Sequence, residues 1–121
     1  MPVQHFVAFR FSPSVSPAQV DDACARFVAL QQACLHPATG TPYILRIQHG
    51  CANSHEGADQ GFTHGFLVTF ADEADRDYYI GQPEYYDPQH DAFKKFVTPL
   101  LAGSFVFDFT VEKEAPRART G

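Results

Sequence analysis

The sequence predicts a single α+β domain, and three observations lead to that class. The chain has 121 residues, the size of one compact domain. Hydrophobic residues make up 45% of it and charged residues 19%, a balance that is typical of a packed core. Short stretches rich in aromatic and β-branched residues alternate with stretches in which apolar residues recur at helical spacing. Strands and helices are therefore expected to follow one another along the chain.

The first strand and the first helix have clear sequence limits. Residues 5–11 (HFVAFRF) favour a strand, and apart from one arginine they are apolar on both faces, so both faces are expected to be covered. Ser16 is a suitable N-cap, Pro17 suits the first helical position and Gln19 completes a capping box. Apolar residues then keep helical spacing to about Leu35, which predicts a long amphipathic helix.

Two more strands are predicted in the middle of the chain. Residues 43–49 (YILRIQH) predict the second strand, and the polar segment 51–61 predicts a loop. Residues 62–70 (FTHGFLVTF) predict the third strand. One face of that strand is expected to carry Phe62, His64, Phe66, Val68 and Phe70.

The second half of the chain repeats the pattern of helix and strand. Short helices are predicted over 72–80 and over 88 to about 101, with an irregular segment between them. The last strand is predicted at 104–111 (SFVFDFTV). We therefore place one domain at 1–112 and a flexible tail at 113–121, because the tail is charged and contains proline, arginine and glycine.

The order of elements is β-α-β-β-α-β, the pattern of ferredoxin-like folds, in which a four-stranded antiparallel sheet carries both helices on one face. His5, Val7 and Phe9 are expected on one face of the sheet, and Phe6 and Ala8 on the other. Phe105, Phe107 and Phe109 share one face of the last strand. Because the strands stay apolar on both faces, a second copy of the chain is expected to cover the face without helices. The prediction is a homodimeric α/β barrel.

Composition excludes several classes of partner. The formal net charge is −5, which argues against nucleic acid. The sequence has no apolar run long enough to span a membrane, and its start lacks the features of a secretion signal. The three cysteines (Cys24, Cys34 and Cys51) form no C-x-x-C motif, so free thiols in a reducing cytoplasm are expected.

Four segments show a resemblance to a known family. They are 5–11 (HFVAFRF), 61–70 (GFTHGFLVTF), 88–93 (PQHDAF) and 107–109 (FDF). Together they resemble the stress-responsive α/β-barrel family of small dimeric ferredoxin-like proteins. Its members include polyketide cyclases of the olivetolic acid type, plant hydroxynitrile lyases, and heat-stable stress proteins that form rings. The resemblance implies a cavity between sheet and helices in which His and Tyr move protons with no cofactor and no metal.

The resemblance also assigns roles to individual residues. His90 matches the catalytic histidine of the cyclases, and imidazole can act as a general base near neutral pH. Tyr79, with Tyr78 as the alternative in register, matches a tyrosine whose phenol orients that histidine. Phe27 stands where catalytic relatives carry a cavity tyrosine, so that hydroxyl is missing here.

The fold adds further candidate binding residues. His5 and His64 occupy matching positions on neighbouring central strands, so their imidazoles are expected to meet at the floor of the cavity. The predicted substrate-binding residues are His5, Val7, Phe9, Phe27, His64, Phe66 and Tyr78. A zinc site formed by His5, His64 and His90 is the alternative, but the H-x-x-x-H spacing that would support it is absent. No metal and no cofactor are predicted.

Three functions are compatible with these residues. The first is a cofactor-independent acid–base enzyme acting on a hydrophobic small molecule, a polyketide cyclase-like or lyase activity with His90 as general base. The second is a non-enzymatic, stress-responsive dimeric barrel that binds apolar ligands. The third is a cofactor-free monooxygenase, like those of related dimeric ferredoxin-like folds, and it matches the motifs less well.

Overall fold

A computed structural model describes residues 1–81 and 86–118, and it has the predicted order of elements. The second helical position of the β-α-β-β-α-β pattern is divided between two helices, α2 and α3. The elements are β1 (Val3–Phe11), α1 (Pro17–Ala33), β2 (Ile44–Cys51), β3 (His64–Phe70), α2 (Glu73–Ile80), α3 (Pro88–Val97), a 3-10 turn (Thr98–Leu100) and β4 (Leu101–Thr110).

The four strands form one antiparallel sheet in the order β2-β3-β1-β4. In its register, His5 at the start of β1 lies between Val68 of β3 and Asp108 of β4. Phe9, four residues later, lies beside His64 at the start of β3. The starts of two antiparallel neighbours therefore lie at opposite ends of the sheet.

Local signals at the helix ends explain where the helices begin and stop. Ser16 and Gln19 form the predicted capping box on α1, with Ser16 N–H donating to the Gln19 side chain over 2.9 Å. Asp72 caps α2 through its carboxylate, which accepts from the backbone N–H of Asp75 over 2.9 Å. Gly81 ends α2 with φ = 81°, a left-handed conformation that favours glycine. A Cβ atom at that position would also overlap the ring of Tyr86.

The hydrophobic core lies between the sheet and the helices. Val3, Phe66, Val68 and Phe70 of the sheet, with Phe27 of α1, are at most 2% exposed. Within the described residues, no helix is long and apolar enough to cross a membrane.

The other face of the sheet has no helix over it. The β1–β4 register pairs Phe105, Phe107 and Phe109 with Ala8, Phe6 and Gln4, which confirms that the three rings share this face, where they are 49–57% exposed. Phe62, predicted on the helix side of β3, is instead outside the strand, with its ring centroid 6.2 Å from that of Phe105. The cause is that the preceding loop runs on to Thr63, so period-2 alternation begins only at His64.

Two segments predicted from the sequence lie partly outside the residues that the structure describes. Residues 82–85 of the irregular segment and 119–121 of the tail are not among the described residues. Residues 111–118 carry no helix or strand, and the flexibility assigned to 113–121 stays a prediction.

Candidate active site

A cavity of about 220 Å³ lies between the β1–β4 side of the sheet and the helices. Exposed side chains of Lys94, Thr98 and Val106 are part of its lining, so the cavity reaches solvent on their side. Six of the predicted site residues line it: His5, Val7, Phe9, Phe27, Tyr79 and His90. Six of the nine residues named from the sequence therefore lie together at one cavity.

His90 lies in the first turn of α3 with its imidazole held at one nitrogen. The N-cap carboxylate of Asp87 accepts hydrogen bonds from the backbone N–H groups of Gln89 (2.8 Å) and His90 (3.4 Å), which anchors the turn. His90 Nδ1–H donates to the backbone carbonyl of Tyr79 over 2.6 Å. This bond selects the tautomer in which Nε2 carries the lone pair.

Tyr79 supports His90 in a different way from the one predicted. Its ring stacks on the imidazole, with centroids 3.7 Å apart and planes 12° apart, and its carbonyl rather than its phenol holds Nδ1. Burial raises the pKa of the Tyr79 hydroxyl well above its usual value, so the group stays protonated. Among the described residues this buried hydroxyl has no hydrogen-bond partner. The predicted phenol–imidazole hydrogen bond is therefore wrong.

Tyr78 does not line the cavity. It projects to the other side of α2, where its ring meets that of Tyr43 with centroids 5.6 Å apart. Successive helical residues point about 100° apart, so only one of the two tyrosines can face the sheet beside His90. That residue is Tyr79. The prediction that Tyr78 contributes to binding in this cavity is therefore wrong.

His5 is the second imidazole of the cavity. Its Nδ1–H donates to the carboxylate of Asp108 over 2.6 Å, and the other oxygen of Asp108 accepts from Arg76 over 3.1 Å. The His5 ring meets the edge of Tyr79, with centroids 5.7 Å apart. His5 and His90 therefore both contact Tyr79, and each has its Nδ1 occupied by an acceptor.

Burial keeps both imidazoles neutral at pH 7. It lowers the pKa of His90 to about 4, although the hydrogen bond to Tyr79 opposes the shift. Burial also lowers the pKa of His5. The carboxylate of Asp108 opposes this shift, because it favours the charged form of the ring, but the effect of burial is larger. Each ring therefore offers an unprotonated Nε2 in the cavity, and each can accept a proton there.

His64 and Phe66 were predicted to bind substrate, and neither lines the cavity. His64 lies opposite Phe9, four residues along β1 from His5, which is about 13 Å at 3.3 Å per residue. The prediction failed because both histidines stand early in strands that run in opposite directions. The zinc alternative of His5, His64 and His90 fails for the same reason.

Three phenylalanine rings that pack against one another lie between His64 and the cavity. We call Phe9, Phe27 and Phe66 the aromatic wall. Phe27 and Phe66 stack face to face with centroids 4.1 Å apart, and Phe66 stacks on His49 on its far side at 4.6 Å. Phe9 and Phe27 face the cavity, whereas Phe66 lies behind them.

Sequence reasoning did not assign Asp108 or Asp87 to the site. Asp108 is the one charged residue of β4, and the sheet register places it directly beside His5. Asp87 precedes the proline that starts α3, which is an N-cap signal. Both residues could be noticed in the sequence. Assigning Asp108 to the site, however, required knowing the β1–β4 register, which pairs it with His5.

Fold and cavity together define a class of protein: small ferredoxin-like α+β domains with a cavity between sheet and helices. The model of the stress-responsive A/B barrel domain matches residues 3–111. The chain belongs to this family, as its motifs predicted.

Solved structures show the same fold. A crystal structure of an Arabidopsis thaliana protein is 23% identical with TM-score 0.77, covering 94% of this chain and 99% of that one. Hydroxynitrile lyase from Passiflora edulis is 24% identical with TM-score 0.75, covering 95% and 97%. A dimeric ferredoxin-like protein of unknown function from Thermobifida fusca is 21% identical with TM-score 0.66, covering 92% of each chain. A search by sequence among curated proteins finds no match.

Proposed function

We propose that the chain is a cofactor-independent acid–base enzyme acting on a hydrophobic small molecule, with a lyase or polyketide cyclase-like activity. The observation that carries the proposal is the pair His5 and His90, two buried imidazoles on one cavity with both Nδ1 atoms occupied by acceptors. Each Nε2 is left for a substrate proton. The apolar lining, which includes Val7, Phe9 and Phe27, suits a hydrophobic substrate.

His90 acts as the general base in this proposal. Its neutral Nε2 removes a proton from an acidic C–H or O–H of the bound substrate, and the imidazolium returns the proton later in the same turnover. His5 is a second proton acceptor: its neutral Nε2 accepts a hydrogen bond from a substrate O–H, and Asp108 favours the charged ring that forms when the proton is transferred to it. Tyr79 is a positioning residue that holds the His90 ring by stacking and through its carbonyl.

The size of the cavity favours compact substrates. Its volume of about 220 Å³ is below the ~300–1,000 Å³ that drug-sized ligands occupy. Cleavage of a cyanohydrin needs a base on one hydroxyl and a small space, whereas a folded polyketide chain needs more room. The similarity to the Passiflora edulis hydroxynitrile lyase supports the lyase form of the proposal.

Turnover of the His90→Gln variant tests the proposal. Cyanide release from aromatic and aliphatic cyanohydrins is measured first, followed by ring closure of short polyketide-like chains. We expect kcat to fall by ~10²–10⁴-fold in H90Q, the range that a positioned general base supplies. The matched control is His55→Gln, an exposed histidine in the loop between β2 and β3. Full turnover in H90Q would remove His90 from the mechanism.

One observation supports the non-enzymatic alternative. A pKa of about 4 makes His90 a weak base, and a neutral apolar cavity can simply hold an apolar ligand. Calorimetry with the same compounds separates the two functions. Binding without turnover of any of them would favour a ligand-binding barrel over the enzyme.

We also propose that the chain forms a homodimer through the sheet face without helices. The rings of Phe105, Phe107 and Phe109 form an apolar surface that is exposed to solvent when the chain is alone. Related ferredoxin-like proteins from Thermobifida fusca and Jannaschia are described as dimeric. A second copy packed face to face would bury more than ~1,200 Å² in total, the size of a stable interface.

Analytical ultracentrifugation at micromolar concentration tests the dimer. Phe107→Asp places a charge in the middle of the apolar surface and is expected to give a monomer. Val28→Asp, on the outer face of α1, is the matched control and keeps the wild-type mass. A monomeric wild-type protein would contradict the proposal.

A reducing compartment such as the cytoplasm suits the cysteines. Cys24, Cys34 and Cys51 are all free thiols in the structure.

A further inference from the structure

The structure brings together three metal-binding side chains at the end of the sheet away from the cavity. Cys24 of α1, His49 of β2 and His64 of β3 each offer one ligand atom, and these atoms all lie within 4.8 Å of one another. We call these residues the CHH trio. We propose that the trio binds a borderline-soft divalent transition-metal ion, with Zn²⁺ as the expected occupant.

The donor set fits this class of ion. One thiolate and two imidazoles are ligands that Zn²⁺ prefers, whereas Mg²⁺ and Ca²⁺ prefer oxygen. In a tetrahedral zinc site with bonds of about 2.0–2.3 Å, ligand atoms lie about 3.3–3.8 Å apart. Because the ligand atoms of the trio lie within 4.8 Å of one another, they have to close by at most about 1.5 Å, which small side-chain rotations can supply.

The surroundings of the trio orient two of its ligands. The hydroxyl of Thr63 donates to the carbonyl of Phe9 over 3.4 Å and lies 2.8 Å from Nδ1 of His64. Because the hydroxyl has only one hydrogen to donate, this pairing has it accept from His64 Nδ1–H, and Nε2 keeps the lone pair that a metal needs. His49 is held by stacking on Phe66.

The site has one closed side and one open side. Cys24 is 7% exposed and lies on the core side of α1, whereas His49 is exposed. Three protein ligands leave a fourth position for water on the open side. Cys24 binds as a thiolate, so each bound ion releases one proton to solvent. The aromatic wall separates this ion from the cavity, so the site is independent of the proposed acid–base function.

Titration of the reduced protein with Co²⁺ tests the proposal. We expect one equivalent to bind, with a thiolate-to-cobalt charge-transfer band that Zn²⁺ abolishes by displacement. Cys24→Ser is expected to remove the band, and His49→Gln to weaken binding at least ~10-fold. The matched controls keep the band: Cys34→Ser at a buried thiol outside the trio, and His55→Gln at an exposed histidine.

Two outcomes would overturn the proposal. One is the absence of a charge-transfer band in the wild-type protein, and the other is a band of unchanged strength in C24S. If C24S fails to fold, H49Q decides the question, because His49 is exposed and its replacement leaves the core intact. Wild-type affinity in H49Q would then count against the trio.

Discussion

The two ends of the helix-covered side of the sheet use histidine in different ways. At the cavity end, His5 and His90 are 5% and 8% exposed, and their Nδ1 atoms are each bonded over 2.6 Å to an acceptor on another element. At the other end, His49 is exposed, and Nδ1 of His64 is bonded to the side chain of its sequence neighbour Thr63. The surroundings of each imidazole, rather than its presence, decide whether it suits proton transfer or metal binding.

The aromatic wall keeps the two ends apart, and removing it gives the largest expected effect. Phe66→Ala deletes a ring that is 1% exposed and stacks on Phe27 and His49. We expect the free energy of unfolding to fall by about 3–5 kcal/mol. Urea denaturation measures it, with Phe66→Leu as a control that keeps most of the volume. A loss below 1 kcal/mol in F66A would show that the wall is not a packed unit.

The pH dependence of stability should come mainly from the cavity end. His90 has a pKa of about 4 when folded and about 6.5 when unfolded, so the unfolded chain binds more protons between these values. Its contribution is fully present above pH 6.5 and is lost as the pH falls towards 4, by about 3 kcal/mol. His5 adds to the loss in the same direction.

Urea denaturation at pH 7 and pH 4.5 measures this loss. H90Q is expected to lose less stability between the two pH values than the wild-type protein, and H55Q is expected to behave like the wild type. Equal losses in H90Q and the wild type would contradict a neutral, buried His90.

Asp108→Asn tests whether the ion-paired network at His5 matters for turnover. Losing the carboxylate removes the charge that favours protonated His5, so the pKa of His5 should fall further. We expect kcat to drop at least ~10-fold. Asp77→Asn is the matched control, because Asp77 also pairs with Arg76, over 2.8 Å, and forms no pair with His5. Equal effects of D108N and D77N would assign the loss to Arg76.

Tyr79→Phe should give the smallest effect. The hydroxyl is buried and has no partner among the described residues, so its removal is expected to change stability by no more than about 1 kcal/mol, or to raise it. Turnover should stay within about threefold of wild type, because stacking and the carbonyl bond persist. A large loss of kcat in Y79F with normal stability would restore the phenol as a catalytic group.

The fold was largely accessible from the sequence, because its signals are local. Each of these signals depends on residues that are close in the chain: the capping box at Ser16, the polar loop predicted at 51–61 and the alternation in the strands. They were sufficient to predict the element order. The division between α2 and α3 was also visible in the sequence.

The site was harder to predict because its contacts join distant residues. His5 meets Asp108 through the β1–β4 register, and His64 misses His5 because β1 and β3 run in opposite directions. Periodicity shows which face a side chain takes, but not how far along the sheet it lies. Likewise, no pattern distinguishes the carbonyl of Tyr79 from its hydroxyl as the partner of His90.

Gly81 makes one backbone position a determinant of the cavity. It ends α2 two residues after Tyr79. Any side chain at this position would collide with the ring of Tyr86. That ring lies parallel to the imidazole of His90, with centroids 5.9 Å apart. A methyl group at this position would push on the aromatic stack that holds the imidazole. In a saturation library selected for turnover, we therefore expect position 81 to accept glycine alone.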